Sequence, residues 1–178
     1  LDEEALRSFV GRAAGTGRLG GVSPSEPVAE ILGKLGLLAD GAPVNAAMLL
    51  FGRDPSRGRP GASIRIGRFS SETEPTDDKW VGGNLLAQLT GTMDILRRTL
   101  SVRYEIAAAE RTDVWEYPLP ALREAVTNAL VHREYADTAN FTQIKVHGDR
   151  LWINNPGRLP PGLSVDDLKR PHRSSLRN

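Results

Sequence analysis

The strongest periodicity in the chain lies between Leu119 and Tyr135. Leu122, Ala125, Val126, Ala129 and Leu130 recur at i, i+3, i+4, i+7 and i+8, an apolar stripe that predicts an amphipathic helix. Pro120 suits its first turn, where a missing N–H costs nothing. Glu124, Asn128 and His132 follow one another at i, i+4 and i+8. At about 100° per residue they form a drifting polar row, offset by roughly 130° from the centre of the apolar stripe. The predicted helix buries one side and offers a carboxylate, an amide and an imidazole on another.

The same reading places the other elements. Leu6, Phe9 and Val10 share a helical face over 1–14, with acidic residues at the favourable N-terminal end. Glycines over 15–21 mark a flexible connection, and Ser23-Pro24-Ser25-Glu26 opens a second helix whose face is Val28, Ile31, Leu32 and Leu35. Asp40-Gly41 is a turn. The apolar run 45–51 fits helix or strand, and 52–61 is a loop. Alternation predicts a strand over 62–70, and the polar stretch 71–79 reads as turns. A helical pattern begins at Asn84 and extends to about Ala109, although 102–109 also fits a strand. Beyond the central helix, 142–147 and 151–154 alternate as strands joined through Gly148-Asp149-Arg150. A Pro/Gly turn covers 155–162, and Ser164 is placed to cap a short helix through Leu168. The three tryptophans show no stacking pattern and are expected in the core.

Composition narrows the function classes. With a net charge of +1 and 25% charged residues, bulk charge supplies no histone-like attraction to nucleic acid. The absence of cysteine excludes disulfides and thiolate metal sites, and the three scattered histidines fit no zinc spacing. No apolar run approaches a membrane span and no signal-peptide pattern opens the chain, so a cytoplasmic setting is expected. The start at Leu1 and the stop at Asn178 suggest a fragment of a longer protein. Arg53, Arg57 and Arg59 crowd one loop, where they either contact phosphate in a nucleic acid or belong to a solvated surface. A motor ATPase needs a Gly-x-x-x-x-Gly-Lys-Ser/Thr loop; the sequence has none, which argues against helicase activity.

Helix, hairpin and glycine turn together resemble the ATP-binding fold of the GHKL ATPases, such as gyrase and the histidine kinases. Glu-x-x-x-Asn, at Glu124 and Asn128, has the spacing of that group's N-box; alone it is a common surface pair. The surrounding words narrow the resemblance. Arg-Glu-Ala-Val-Thr-Asn-Ala-Leu-Val-His-Arg-Glu-Tyr at 123–135, Asn-Pro-Gly-Arg-Leu-Pro-Pro-Gly-Leu at 155–163 and Ser-Leu-Arg-Asn at 175–178 resemble bacterial transcriptional regulators often labelled RecG-related helicases. Those proteins join a Schlafen/AlbA-type domain to a divergent GHKL-like domain, and 44–55 resembles the end of the first.

The resemblance implies an α+β fold: a GHKL-like (Bergerat) two-layer α/β sandwich over 106–178, incomplete, preceded by a mostly helical linking region over 1–105. It implies ATP and Mg²⁺ as cofactors, with Asn128 as metal ligand and Glu124 as catalytic base. His132, Asn154, Asn155 and Gly157 would contact the nucleotide; the pair His132-Arg133 could hold phosphate or cap neighbouring loops, the alternative for His132 being a structural hydrogen bond. Where the GHKL turn begins with an Asp that accepts a hydrogen bond from the adenine amino group, this chain has Asn154, or Asn155 one register away. The function implied is a regulatory nucleotide-binding module of a DNA-binding transcriptional regulator, with weak ATPase activity an open expectation. DNA would be engaged through other parts of the full-length protein, and homo-oligomerisation is a further expectation. The alternative is a GHKL-like module that has lost its nucleotide and serves oligomerisation or partner binding.

Overall fold

The computed structural model describes residues 1–17, 19–57, 60–71, 73–107, 110–159 and 162–167, with the backbone alone at 60, 103–107 and 110–113. The chain divides into two compact units, the first Leu1–Gly58 with Gly82–Ala87, the second Arg59–Val81 with Gln88–Asn178. The expected boundary near residue 105 falls inside the second unit.

The first unit is built on three helices, α1 (Glu3–Gly15), α2 (Val28–Lys34) and α3 (Asn45–Phe51). Asp2 caps α1 by accepting a bond from the Ala5 N–H at 3.0 Å, satisfying a donor that has no partner within the helix. Leu6, Val10, Ile31, Leu32, Ala47 and Phe51 form one buried cluster, and Phe9 meets Phe51 edge to face at 5.5 Å. Burial of Ala47 and Phe51, one turn apart, resolves the ambiguous run as a helix. Between α2 and α3, β1 (Leu38–Ala39) and β2 (Ala42–Pro43) form a minimal hairpin. Asp40 and Gly41 both take positive φ there, 50° and 75°, as a tight two-residue turn demands.

The second unit holds a four-stranded mixed sheet. Its strands are β3 (Ile64–Phe69), β4 (Pro75–Val81), β7 (Thr142–Val146) and β8 (Leu151–Asn154), in the order β4-β3-β7-β8. Only the central pair β3–β7 is parallel. Between β4 and β7 come α4 (Leu85–Thr99), whose first turn belongs to the first unit, the hairpin β5 (Val102–Ala107) and β6 (Glu110–Trp115), and α5 (Leu119–Val131). Helix α4 runs along β3: Gln88 Nε2 donates to the Ala62 carbonyl at 2.7 Å, and Arg68 Nη1 donates to the Thr99 carbonyl at 2.7 Å. The second bond places a cation at the negative end of the helix.

Register assigns the faces. Ile64, Ile66, Thr142, Ile144 and Val146 share one face and are buried, joined by half-buried Ile153 and Leu151. The stripe of α5 is buried at Leu122, Val126, Ala129 and Leu130, and α4 buries Met93 and Leu96. The protein is thus α+β, as expected, with helices and a mixed sheet.

Two expectations are corrected. The stretch 71–79 is not all turn: Pro75–Val81 is an edge strand paired antiparallel with β3. Nearly every residue of it is exposed, so no alternation betrayed it, and its Pro, Asp and Lys are the residues that blunt an edge. Trp80 and Trp152 are not core residues, being 54% and 42% exposed, whereas Trp115 is half-buried. Register puts Trp80 in line with Arg65 and Trp152 with Lys145 on the opposite face of the sheet, where those cations lie 5.9 and 5.3 Å from the ring centres.

Candidate functional site

Helix α5 displays its polar row as the spacing implied. Glu124 and Asn128 are exposed, and Asn128 Nδ2 donates to Glu124 Oε1 at 3.2 Å. That bond turns the amide oxygen of Asn128 away from the carboxylate. His132 does not extend the row as a helical residue. It is the exposed C-cap, and its N–H closes on the Asn128 carbonyl at 2.9 Å.

The chain then turns inward. Arg133 is 0% exposed, and burial lowers its pKa from the ordinary value. Its Nε donates to Thr142 Oγ1 at 2.9 Å, and its Nη1 reaches the Gly61 carbonyl and Gln88 Oε1 at 3.4 and 3.5 Å. The guanidinium also lies 5.4 Å from the centre of the Tyr135 ring, whose hydroxyl donates to the Leu130 carbonyl at 2.6 Å; burial raises the pKa of that phenol. One buried cation therefore joins the end of α5 to α4, to the entry of β3 and to the first residue of β7.

The turn after β8 sits beside this network. Glu134 N–H donates to the Pro156 carbonyl at 2.9 Å, and Thr142 Oγ1 donates to Asn155 Oδ1 at 2.6 Å. Asn155 is half-buried on the Thr142 side of the sheet. Asn154 is exposed and in register with Gln143, on the opposite face. Gly157 has φ 143°, a conformation open to glycine but rarely to other residues. So the turn that carries Asn155 and Gly157 is tied to Arg133 and Glu134, just beyond α5, while Asn154 lies on the opposite face of the sheet.

Among the described residues no group of three or more His, Asp or Glu could hold a metal ion by itself. The oxygens of Asn128 and Glu124 still suit a hard cation that keeps most of its waters and takes few protein ligands. Arg53 and Arg57 are exposed in the first unit, and Arg59 lies outside the described residues, as do Leu168 and 169–178. Ser164 caps as expected: its Oγ accepts from the Asp167 N–H at 3.3 Å, and its own N–H donates to Asp167 Oδ2 at 2.8 Å, while the end of the expected helix lies outside the described residues.

Sequence reasoning overlooked Thr142 and Gln88; it singled out Arg133, but with His132 as a pair able to hold phosphate or cap neighbouring loops, and the burial of Arg133 against Thr142, Gly61 and Gln88 corrects that. Thr142 was legible as a hydroxyl heading the buried register of an alternating strand. The burial of Arg133 was not, because an arginine beside a histidine after a helix looks like surface.

Residues 140–178 match the family described as "Putative ATP-dependent DNA helicase recG C-terminal", an ATPase-type domain in keeping with a GHKL-like fold. The match includes β7, β8 and the turn after them, but neither Glu124 nor Asn128. No curated protein matches the chain. Among solved structures, the DIP2311 protein from Corynebacterium diphtheriae is similar with a TM-score of 0.70 at 18% identity, over 93% of this chain and 32% of that one. That likeness speaks to the fold alone, and the chain spans about a third of the DIP2311 protein. Among the described residues no helix is long and apolar enough to cross a membrane.

Proposed function

We propose that the second unit is the regulatory nucleotide-binding module of a cytoplasmic DNA-binding transcriptional regulator. The reading is carried by the exposed Glu124–Asn128 pair on α5, and by Glu134, just beyond that helix, whose N–H bonds the Pro156 carbonyl of the turn in the stretch that matches an ATPase-type family. Asn128 Oδ1 would hold Mg²⁺, and Asn155, Gly157 and His132 would line the nucleotide. Bound metal would supply charge neutralisation for the phosphates. Glu124, which accepts from Asn128, would take a proton from water and so give a weak hydrolytic activity. DNA contact belongs to Arg53, Arg57 and Arg59 and to further parts of the full-length protein. The helicase in the family's description is not carried over, since the sequence has no Gly-x-x-x-x-Gly-Lys-Ser/Thr loop.

One observation favours a second reading. The uncharged Asn155, or Asn154, replaces the carboxylate that accepts from adenine in GHKL proteins, which suits a nucleotide-free interaction module. Calorimetric titration of the full-length protein with ADP and a non-hydrolysable ATP analogue, with and without Mg²⁺, separates the two. Mg²⁺-dependent binding is expected. Silence at millimolar nucleotide, of any base, would leave the interaction module standing instead.

A further inference from the structure

The hydrogen-bond chain Arg133–Thr142–Asn155 has a direction. A guanidinium only donates, so Thr142 Oγ1 must accept from Arg133 Nε at 2.9 Å. Thr142 is fully buried and its hydroxyl has one proton to place. Asn155 Oδ1 stands 2.6 Å away, a separation typical of O–H···O rather than of N–H···O, which centres near about 2.9 Å. The hydroxyl therefore donates to the amide oxygen. Arg133 is itself held by Gly61 and Gln88, and Gln88 by Ala62, so the chain starts from a fixed point. The oxygen of Asn155 is drawn towards Thr142, and the planar carboxamide turns its NH₂ the other way.

Resting on the nucleotide-binding reading above, we infer that Asn155 presents hydrogen-bond donors to the base, so that the site takes a 6-oxopurine nucleotide, of the inosine or guanosine class, in preference to an adenine nucleotide. A carboxylate at this position accepts from a 6-amino group. The oriented amide of Asn155 would set donor against donor there, whereas a carbonyl at C6 accepts its N–H. Arg133 and Thr142 are positioning residues: they set the polarity of Asn155 without touching the ligand.

The test is calorimetric titration of the full-length protein with Mg-ITP and Mg-ATP, which differ at this edge of the base. ITP is expected to bind about tenfold more tightly, the scale of one mismatched buried hydrogen bond. Asn155→Asp should reverse the preference, because an outward acceptor replaces the NH₂. Thr142→Val should erase it, and Thr142→Ser, which keeps the hydroxyl, should retain it. If Thr142→Val does not fold, the wild type and Asn155→Asp decide the matter alone. Wild-type binding of ATP as tight as or tighter than ITP overturns the inference while leaving nucleotide binding intact. Binding of neither overturns both readings.

Discussion

The side-chain amide of Asn128 donates to the carboxylate of Glu124 one turn earlier on α5, at 3.2 Å. The bond gives the two residues separable jobs. Asn128→Ala removes an oxygen ligand, so Mg²⁺-dependent nucleotide binding should fall. Glu124→Gln keeps the size and the hydrogen-bonding capacity but cannot act as a base, so binding should survive while any hydrolysis drops by about a hundredfold or more. Calorimetry and a phosphate-release assay on both variants check this. If both are indistinguishable from wild type in each assay, the polar row is only a solvated helix face, and each change should cost under roughly 0.5 kcal/mol of stability.

Gly67 lies in the middle of β3, opposite Asp78 of the edge strand. A Cβ added there would stand 2.3 Å from the Asp77 carbonyl oxygen, a backbone atom that cannot move without shifting β4. Gly67→Ala is expected to destabilise the protein by about 1–3 kcal/mol, the range for overpacking. An unchanged urea midpoint would show that the edge strand yields freely.

Arg65 and Asp78 pair across β3 and β4, with Arg65 Nε 2.9 Å from Asp78 Oδ1 and Nη2 2.6 Å from Oδ2. Hydrogen bonding to Arg65 lowers the Asp78 pKa below the usual carboxylate value. A depressed folded pKa means stability that is present above the unfolded value, about 3.9, and lost as pH falls through the folded one. The pair is about a third exposed, so its worth is held below about 1 kcal/mol. Glu26 and Asp137 are shifted in the same direction, so the informative quantity is the difference between wild type and Asp78→Asn. That difference, measured by urea unfolding, should be positive at pH 6 and shrink as the pH falls below the unfolded carboxylate value of about 3.9. A difference that is constant with pH would remove the ion pair from the account.

Replacing Arg53, Arg57 and Arg59 together should weaken DNA binding by the full-length protein and flatten its dependence on salt, since each lost phosphate contact lowers the slope by about one. Unchanged affinity and slope would return the loop to an ordinary solvated surface.

The sequence determined what repeats along one element. The stripe of α5, the alternation of β7 and β8, and the helical faces of α1 and α2 all reappear, because burial on one side writes itself into local periodicity. The exposed Glu124–Asn128 pair follows from the same arithmetic. What has no period was decided by tertiary structure alone. β4 gains its partner only through β3, so a polar, exposed stretch becomes a strand by pairing rather than by burying a face. Trp80 and Trp152 surface because register sets them on the open face of the sheet. Arg133 goes inside because α5 ends where β7 begins beside it. Thr142, Gly61 and Gln88, far apart in sequence, converge there to accept its N–H groups. A charge can be buried only where partners from several elements meet it, and no single stretch of sequence shows that meeting.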